Sequence, residues 1–149
     1  MQLESLYQEI ILDHYRHPRG RQMLDDPQGE AHHVNPTCGD EITVQVRSGD
    51  DGALVVGYEG QGCSISQASA SVMSELVNGH TASEAAAARA AFLELMQSKG
   101  AADPDEDVLG DAVAFAGVSK YPARIKCALL PWMALQDATN RAGISEEER

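Results

Sequence analysis

Residues 41–60 read EITVQVRSGDDGALVVGYEG, and in the first seven the apolar and polar side chains alternate. Ile42, Val44 and Val46 fall on one side, with Thr43, Gln45 and Arg47 on the other, which is the period of a half-buried strand. SGDDGA at 48–53 has the composition of a turn, and LVVGYEG at 54–60 reads as a second strand. The two therefore pair antiparallel as a hairpin. EAHHV at 30–34 adds a short third strand, within a stretch from 21 to 33 that otherwise reads as loop.

Outward from the hairpin the period changes. Leu3, Leu6, Tyr7, Ile10, Ile11 and His14 recur at helical spacing, so a helix over 3–15 is expected to turn them inward, with HPRG at 17–20 ending it. After GQGC, the residues Ile65, Ala68, Val72 and Leu76 mark a helix that stops at NGH, 78–80. Thr81 and Glu84 have capping-box spacing and open another, with Ala85, Ala88, Phe92, Leu95 and Met96 inward. Residues 98–106 read as an acidic Gly/Pro linker, Asp107 to Ala116 as a shorter helix, and Pro122 as the first turn of the last one. That last helix is apolar on most sides, which predicts burial. Pro131, lacking an N–H, leaves the Cys127 carbonyl without its usual donor and predicts a kink there.

The chain of 149 residues suits one domain over 1–149, and a hydrophobic fraction of 43% is enough for a core without staples. A formal net charge of −12, with no concentrated basic patch, argues against nucleic acid. No apolar run reaches about 18 residues and no leader pattern opens the chain, so neither membrane nor export is expected and the address is cytoplasmic. Part of the negative charge lies in DPDED at 103–107 and EEER at the end, which read as solvated runs.

Cys38, Cys63 and Cys127 are an odd, scattered set, which speaks for free or metal-bound thiols rather than disulfides. Cys38 and Asp40, one residue apart, share a face if the chain is extended, and Gly39 lets the backbone bend close to what they hold. A buried structural cysteine beside a turn aspartate has the same spacing. Cys63 lies where a strand gives way to a helix, whose N-terminal dipole and unpaired N–H groups favour thiolate. Cys38 precedes one hairpin strand and Cys63 follows the other, so antiparallel pairing makes them neighbours. If the last helix crosses that end of the sheet, Cys127 completes three thiols and one carboxylate, a set suited to tetrahedral zinc. Four negative charges against two positive leave about −2, so a cation is wanted nearby. Arg124, three residues before Cys127, shares its helical face, although a solvated arginine has the same spacing. His14, His17, His32 and His33 read as helix-end or loop residues, and none is needed for the four-donor site.

NPTCGD (35–40), GQGCSISQASAS (60–71) and YPARIKCALLPW (121–132) together resemble the SufU family of the IscU-like iron–sulfur assembly proteins. The resemblance runs over almost the whole chain. It implies an α+β fold, with a small antiparallel sheet of about three strands packed against about five helices, a zinc site, and a SufS-type cysteine desulfurase as partner, ahead of downstream assembly machinery. It implies zinc on Cys38, Asp40, Cys63 and Cys127, sulfur acceptance by Cys38, and a family arginine at Arg124. Lys126 stands where the IscU scaffolds carry histidine, and the segment from about Lys99 to Ser119 reads as an insertion. Both are typical of the SufU branch. Iron or an iron–sulfur cluster on the same ligands, with the protein a scaffold, is the alternative. A non-catalytic domain merely stabilised by zinc is a second alternative.

Overall fold

The alternating stretch forms two strands of a three-stranded antiparallel sheet, β1 (Gly29–Asn35), β2 (Asp40–Ser48) and β3 (Leu54–Gln61), in the order β1-β2-β3. The computed structural model describes residues 3–99 and 105–146. The side chain expected inward at Leu3, most of the 98–106 linker, the start of DPDED and the last three residues of EEER lie outside the described residues. The chain begins with α1 (Leu3–Arg16), and after the sheet come α2 (Ser64–Val77) and α3 (Ala82–Gln97). A one-turn α4 (Glu106–Leu109), a 3-10 segment (Gly110–Lys120) and α5 (Pro122–Arg141) follow. This is the expected α+β fold, with the third strand present.

Register explains the core. Val44 stands opposite Tyr58 and Val46 opposite Val56, so Ile42, Val44, Val46, Leu54, Val56 and Tyr58 are all buried. α5 packs on β1 and β2, and α2 packs on α5. The inward row expected for α3 is buried at Ala85, Ala88, Phe92, Leu95 and Met96, below a complete Thr81/Glu84 capping box. Phe92 stacks on Trp132 with ring centres 5.0 Å apart and meets Phe115 edge-on at 5.7 Å. α5 runs through Pro131 as one helix, and Ser69 Oγ of α2 donates to the Ala128 carbonyl at 2.5 Å.

Two local expectations are corrected. The helix expected from Asp107 to Ala116 is instead one α-turn followed by 3-10 turns, because Gly110 takes φ +49°, outside the right-handed helical region. The 3-10 turns still bury Ala112, Val113, Phe115 and Val118. In α1, Leu6 is 43% exposed rather than inward. The helix leans on α2 and the 3-10 segment through Tyr7, Ile11 and His14, which leaves Leu6 off that line.

His14 also does more than end a helix. It is wholly buried, with Nδ1 2.7 Å from Ser71 Oγ and Nε2 2.8 Å from Asp111 Oδ2, so one ring ties α1 to α2 and to the 3-10 segment. A buried imidazole satisfied at both nitrogens fixes the relative placement of three elements.

Candidate metal centre

The hairpin brings its two ends together, as antiparallel pairing requires. Glu41, second in β2, stands opposite Gln61, last in β3. Asp40 therefore lies beside the chain that leads into Cys63. The Asp40 carboxylate is buried, at 1% exposure, with Oδ1 accepting the Cys63 N–H at 2.8 Å and Oδ2 3.8 Å from Cys63 Sγ.

Cys63 is the N-cap of α2. Its backbone is extended, and its sulfur accepts the Ser66 N–H at 3.5 Å. That N–H is one of the helix donors left without a partner inside the first turn, and the sulfur supplies one. Gly62, just before it, has φ +153° and lies so close to Asp40 that an added Cβ would overlap Oδ1.

Cys38 sits in the turn joining β1 to β2, exposed, with its N–H donating to the Asn35 carbonyl at 3.2 Å. Cys127 differs sharply: it is fully buried on α5, with Sγ 3.4 Å from Cys38 Sγ and 3.6 Å from the Ala123 carbonyl. Burial pushes the Cys127 thiol well above the usual thiol range, and its contacts with Asp40, Cys38 and Cys63 push it the same way.

Donor atoms of Cys38, Asp40 and Cys127 all lie within 4.8 Å of one another, and Cys63 joins them through its 3.8 Å approach to Asp40. Tetrahedral zinc with thiolate and carboxylate ligands spaces its donors about 3.6–3.8 Å apart. The 3.8 Å between Cys63 Sγ and Asp40 Oδ2 falls in that range, the 3.4 Å between the Cys38 and Cys127 sulfurs is a few tenths of an ångström shorter, and the three cysteines are free thiols. Three sulfurs and one oxygen also match the chemistry of the metal. Cys38, Asp40 and Cys127 thus form one group, with Cys63 held against it through the Asp40 carboxylate.

Arg124 is placed differently from the buried Cys127 three residues on. Its side chain is exposed and lines a groove of about 440 Å³ with Tyr7, Ile11, Ser64, Ile65 and Tyr121. No ion pair or side-chain hydrogen bond holds it among the described residues. His33 bonds Asp137 at 3.0 Å and His32 bonds Thr43 at 2.8 Å, away from the sulfurs. A second mixed group, His14, Glu75 and Asp111, also lies within 4.8 Å, but His14 is paired with Asp111 and Arg19 reaches Glu75 at 3.5 Å. Its charges are already met by protein.

Three residues of the centre escape a reading by spacing alone: Asn35, Gly62 and Ser66. Asn35 opens the NPTCGD stretch and Gly62 directly precedes Cys63, so the signal for both is adjacency to the candidate donors.

The NifU-like N-terminal domain family matches residues 6–128 of this sequence. The chain belongs to that family. It is similar to the zinc-dependent sulfurtransferase SufU of Bacillus subtilis (strain 168), with 41% identity over 98% of this chain and 94% of that one. It is 39% identical to the iron-sulfur cluster assembly scaffold protein IscU of Streptococcus pyogenes serotype M1, over 94% of this chain and 86% of that one. The crystal structure of a candidate iron-sulfur cluster assembly scaffold protein for the SUF system, from Fervidobacterium islandicum AW-1, superposes with a TM-score of 0.79. Identity there is 35%, covering 92% of this chain and 98% of that chain. This NifU-like domain is therefore similar in sequence to a sulfurtransferase and to a scaffold protein, and in fold to a protein described as a scaffold.

Proposed function

We propose that this protein is a zinc-dependent sulfurtransferase of iron–sulfur cluster assembly, taking sulfur on Cys38 from a SufS-type cysteine desulfurase and passing it to downstream machinery. The observation that carries the reading is the contrast within one donor set. Cys38 is exposed on a turn, while Cys127 and Asp40 beside it are buried. A site meant only to secure the fold has no need to present one of its sulfurs. No helix among the described residues is long and apolar enough to cross a membrane, in keeping with a cytoplasmic carrier.

Cys38, Asp40, Cys63 and Cys127 would hold the zinc, which when bound supplies the positive charge that keeps the thiols deprotonated at neutral pH. Cys38 then acts as the nucleophile. Its thiolate attacks the terminal sulfur of the desulfurase persulfide, forming a new S–S bond as the old one breaks, and the desulfurase cysteine leaves as thiolate. Cys63, Cys127 and Asp40 hold their places, because helix cap, core and sheet fix them, whereas the turn of Cys38 is tied by little more than one N–H. Arg124, exposed and unpaired, is assigned the cation that an anionic centre and an incoming sulfur anion both call for.

Incubating the protein with desulfurase and cysteine tests this directly. Mass spectrometry is expected to find one extra sulfur on the peptide that contains Cys38, and none after Cys38→Ser. Sulfur found only on Cys63 or Cys127, or undiminished stimulation of the desulfurase by Cys38→Ser, overturns the assignment. The scaffold reading, favoured by the name of the Streptococcus relative, has its own signature: protein isolated without oxygen would be brown rather than colourless.

The carboxylate has a test of its own. Gly62→Ala sets a Cβ against Asp40 Oδ1 and 2.8 Å from Ser66 Oγ, at a φ that side chains avoid. Asp40 must shift, and zinc affinity is expected to fall about 10- to 100-fold. Competition with a chromophoric chelator measures it, with circular dichroism confirming intact helices. Unchanged affinity would remove Asp40 from the ligand set.

A further inference from the structure

Within the proposed zinc centre, we infer that Asn35 is a positioning residue that keeps Cys127 as the permanent sulfur and leaves Cys38 as the one that exchanges. The inference rests on the zinc reading and adds a residue to it. Asn35 touches the centre at three points. Its carbonyl accepts the Cys38 N–H at 3.2 Å, its backbone stands opposite Asp40 in the β1/β2 register, and its Nδ2 lies 3.9 Å from Cys127 Sγ.

The residue is 8% exposed, so its amide is largely removed from water and needs partners inside the protein. A distance of 3.9 Å is the outer edge of hydrogen-bond range to sulfur, and a thiolate draws an N–H donor more strongly than a thiol does. Among the described residues no amide side chain is directed at Cys38, whose side-chain contact is the Cys127 sulfur. The two sulfurs, 3.4 Å apart, thus differ in what holds them. Cys127 has α5, the core and an amide, whereas Cys38 has a turn and one backbone bond.

Asparagine also suits the charge of the centre. Its amide adds a donor without adding a charge, so it stabilises negative charge on a centre whose three thiolates and carboxylate leave about −2 around one divalent ion. Aspartate has the same shape but would bring a fifth anion to Cys127. Shape and charge can therefore be separated by substitution.

The test uses the full chain loaded with zinc, and separately with cobalt(II) as a spectroscopic probe. Asn35→Ala is expected to weaken zinc about tenfold and Asn35→Asp about a hundredfold, measured by chelator competition. In the cobalt protein the sulfur-to-metal charge-transfer band should move to longer wavelength in both variants, because a thiolate without its donor gives up electron density more readily. Loss of packing alone would not order the two variants this way or shift that band. Equal affinities for wild type and Asn35→Asp, or an unmoved band in both variants, overturns the inference. Should Asn35→Asp fail to fold, the band of Asn35→Ala is the deciding reading. If the wild-type protein itself shows no thiolate-to-cobalt band, the zinc reading fails instead.

Discussion

Cys127→Ala is expected to lower zinc affinity on the order of a thousandfold. Structural zinc sites bind with about 10–16 kcal/mol spread over four ligands, so one ligand accounts for roughly 2.5–4 kcal/mol. Cys127 should lie at the upper end, because it is fully buried and no water can reach in easily to replace its sulfur. The effect extends to stability. A metal present at a thousand times its dissociation constant stabilises the native state by about 4 kcal/mol, and a thousandfold weaker site reduces that to under about 1 kcal/mol. Thermal melting with zinc and with chelator reads both numbers. A variant still raised by zinc as far as the wild type would mean that Cys127 is no ligand.

Trp132→Ala is expected to cost about 3–5 kcal/mol of unfolding free energy, independent of any metal. The indole is wholly buried and stacked on Phe92, which in turn meets Phe115, so its removal opens a cavity where α5, α3 and the 3-10 segment meet. Trp132→Phe should be far milder. The indole Nε1 is buried with no hydrogen-bond partner among the described residues, and leaving such a donor unmet costs about 1–3 kcal/mol that phenylalanine avoids. Urea unfolding followed by circular dichroism in chelator is the suitable measurement, since the chain has one tryptophan and both variants lose its fluorescence. Equal losses for the two variants would contradict this account of the core.

The hairpin and the meeting of its ends were readable from the chain because both follow from a period of two and from antiparallel pairing, which are local properties. The same holds for α3, where Thr81 and Glu84 announce the start and five inward residues repeat at helical spacing. α1 shows the limit. Periodicity could mark Leu6 as apolar, but only the neighbours actually present determine which apolar residues are covered. The 3-10 segment is a second case. Its composition suits a helix, and a single glycine dihedral at 110 changed its pitch. In the centre, the four donors were accessible because each belongs to a recognisable junction: a turn, a strand start, a helix cap, a buried helix. Asn35 and Gly62 were not, since an amide pointing at a sulfur and a missing Cβ beside a carboxylate are facts of packing. Arg124 lay between these cases. Its helical face could be named from spacing, whereas its exposure in an apolar groove could not.

The donors come from widely separated parts of the chain, with Cys38 and Cys127 eighty-nine residues apart. Synthesis on the ribosome runs from the N-terminus, so the sheet, Asp40 and Cys63 emerge long before α5 does. Until α5 docks, the apolar face of β1 and β2 lacks its cover and the fourth donor is missing. A nascent chain would therefore hold the proposed zinc only weakly, and tight loading would be a late event of maturation, coupled to the closing of the core by its last helix.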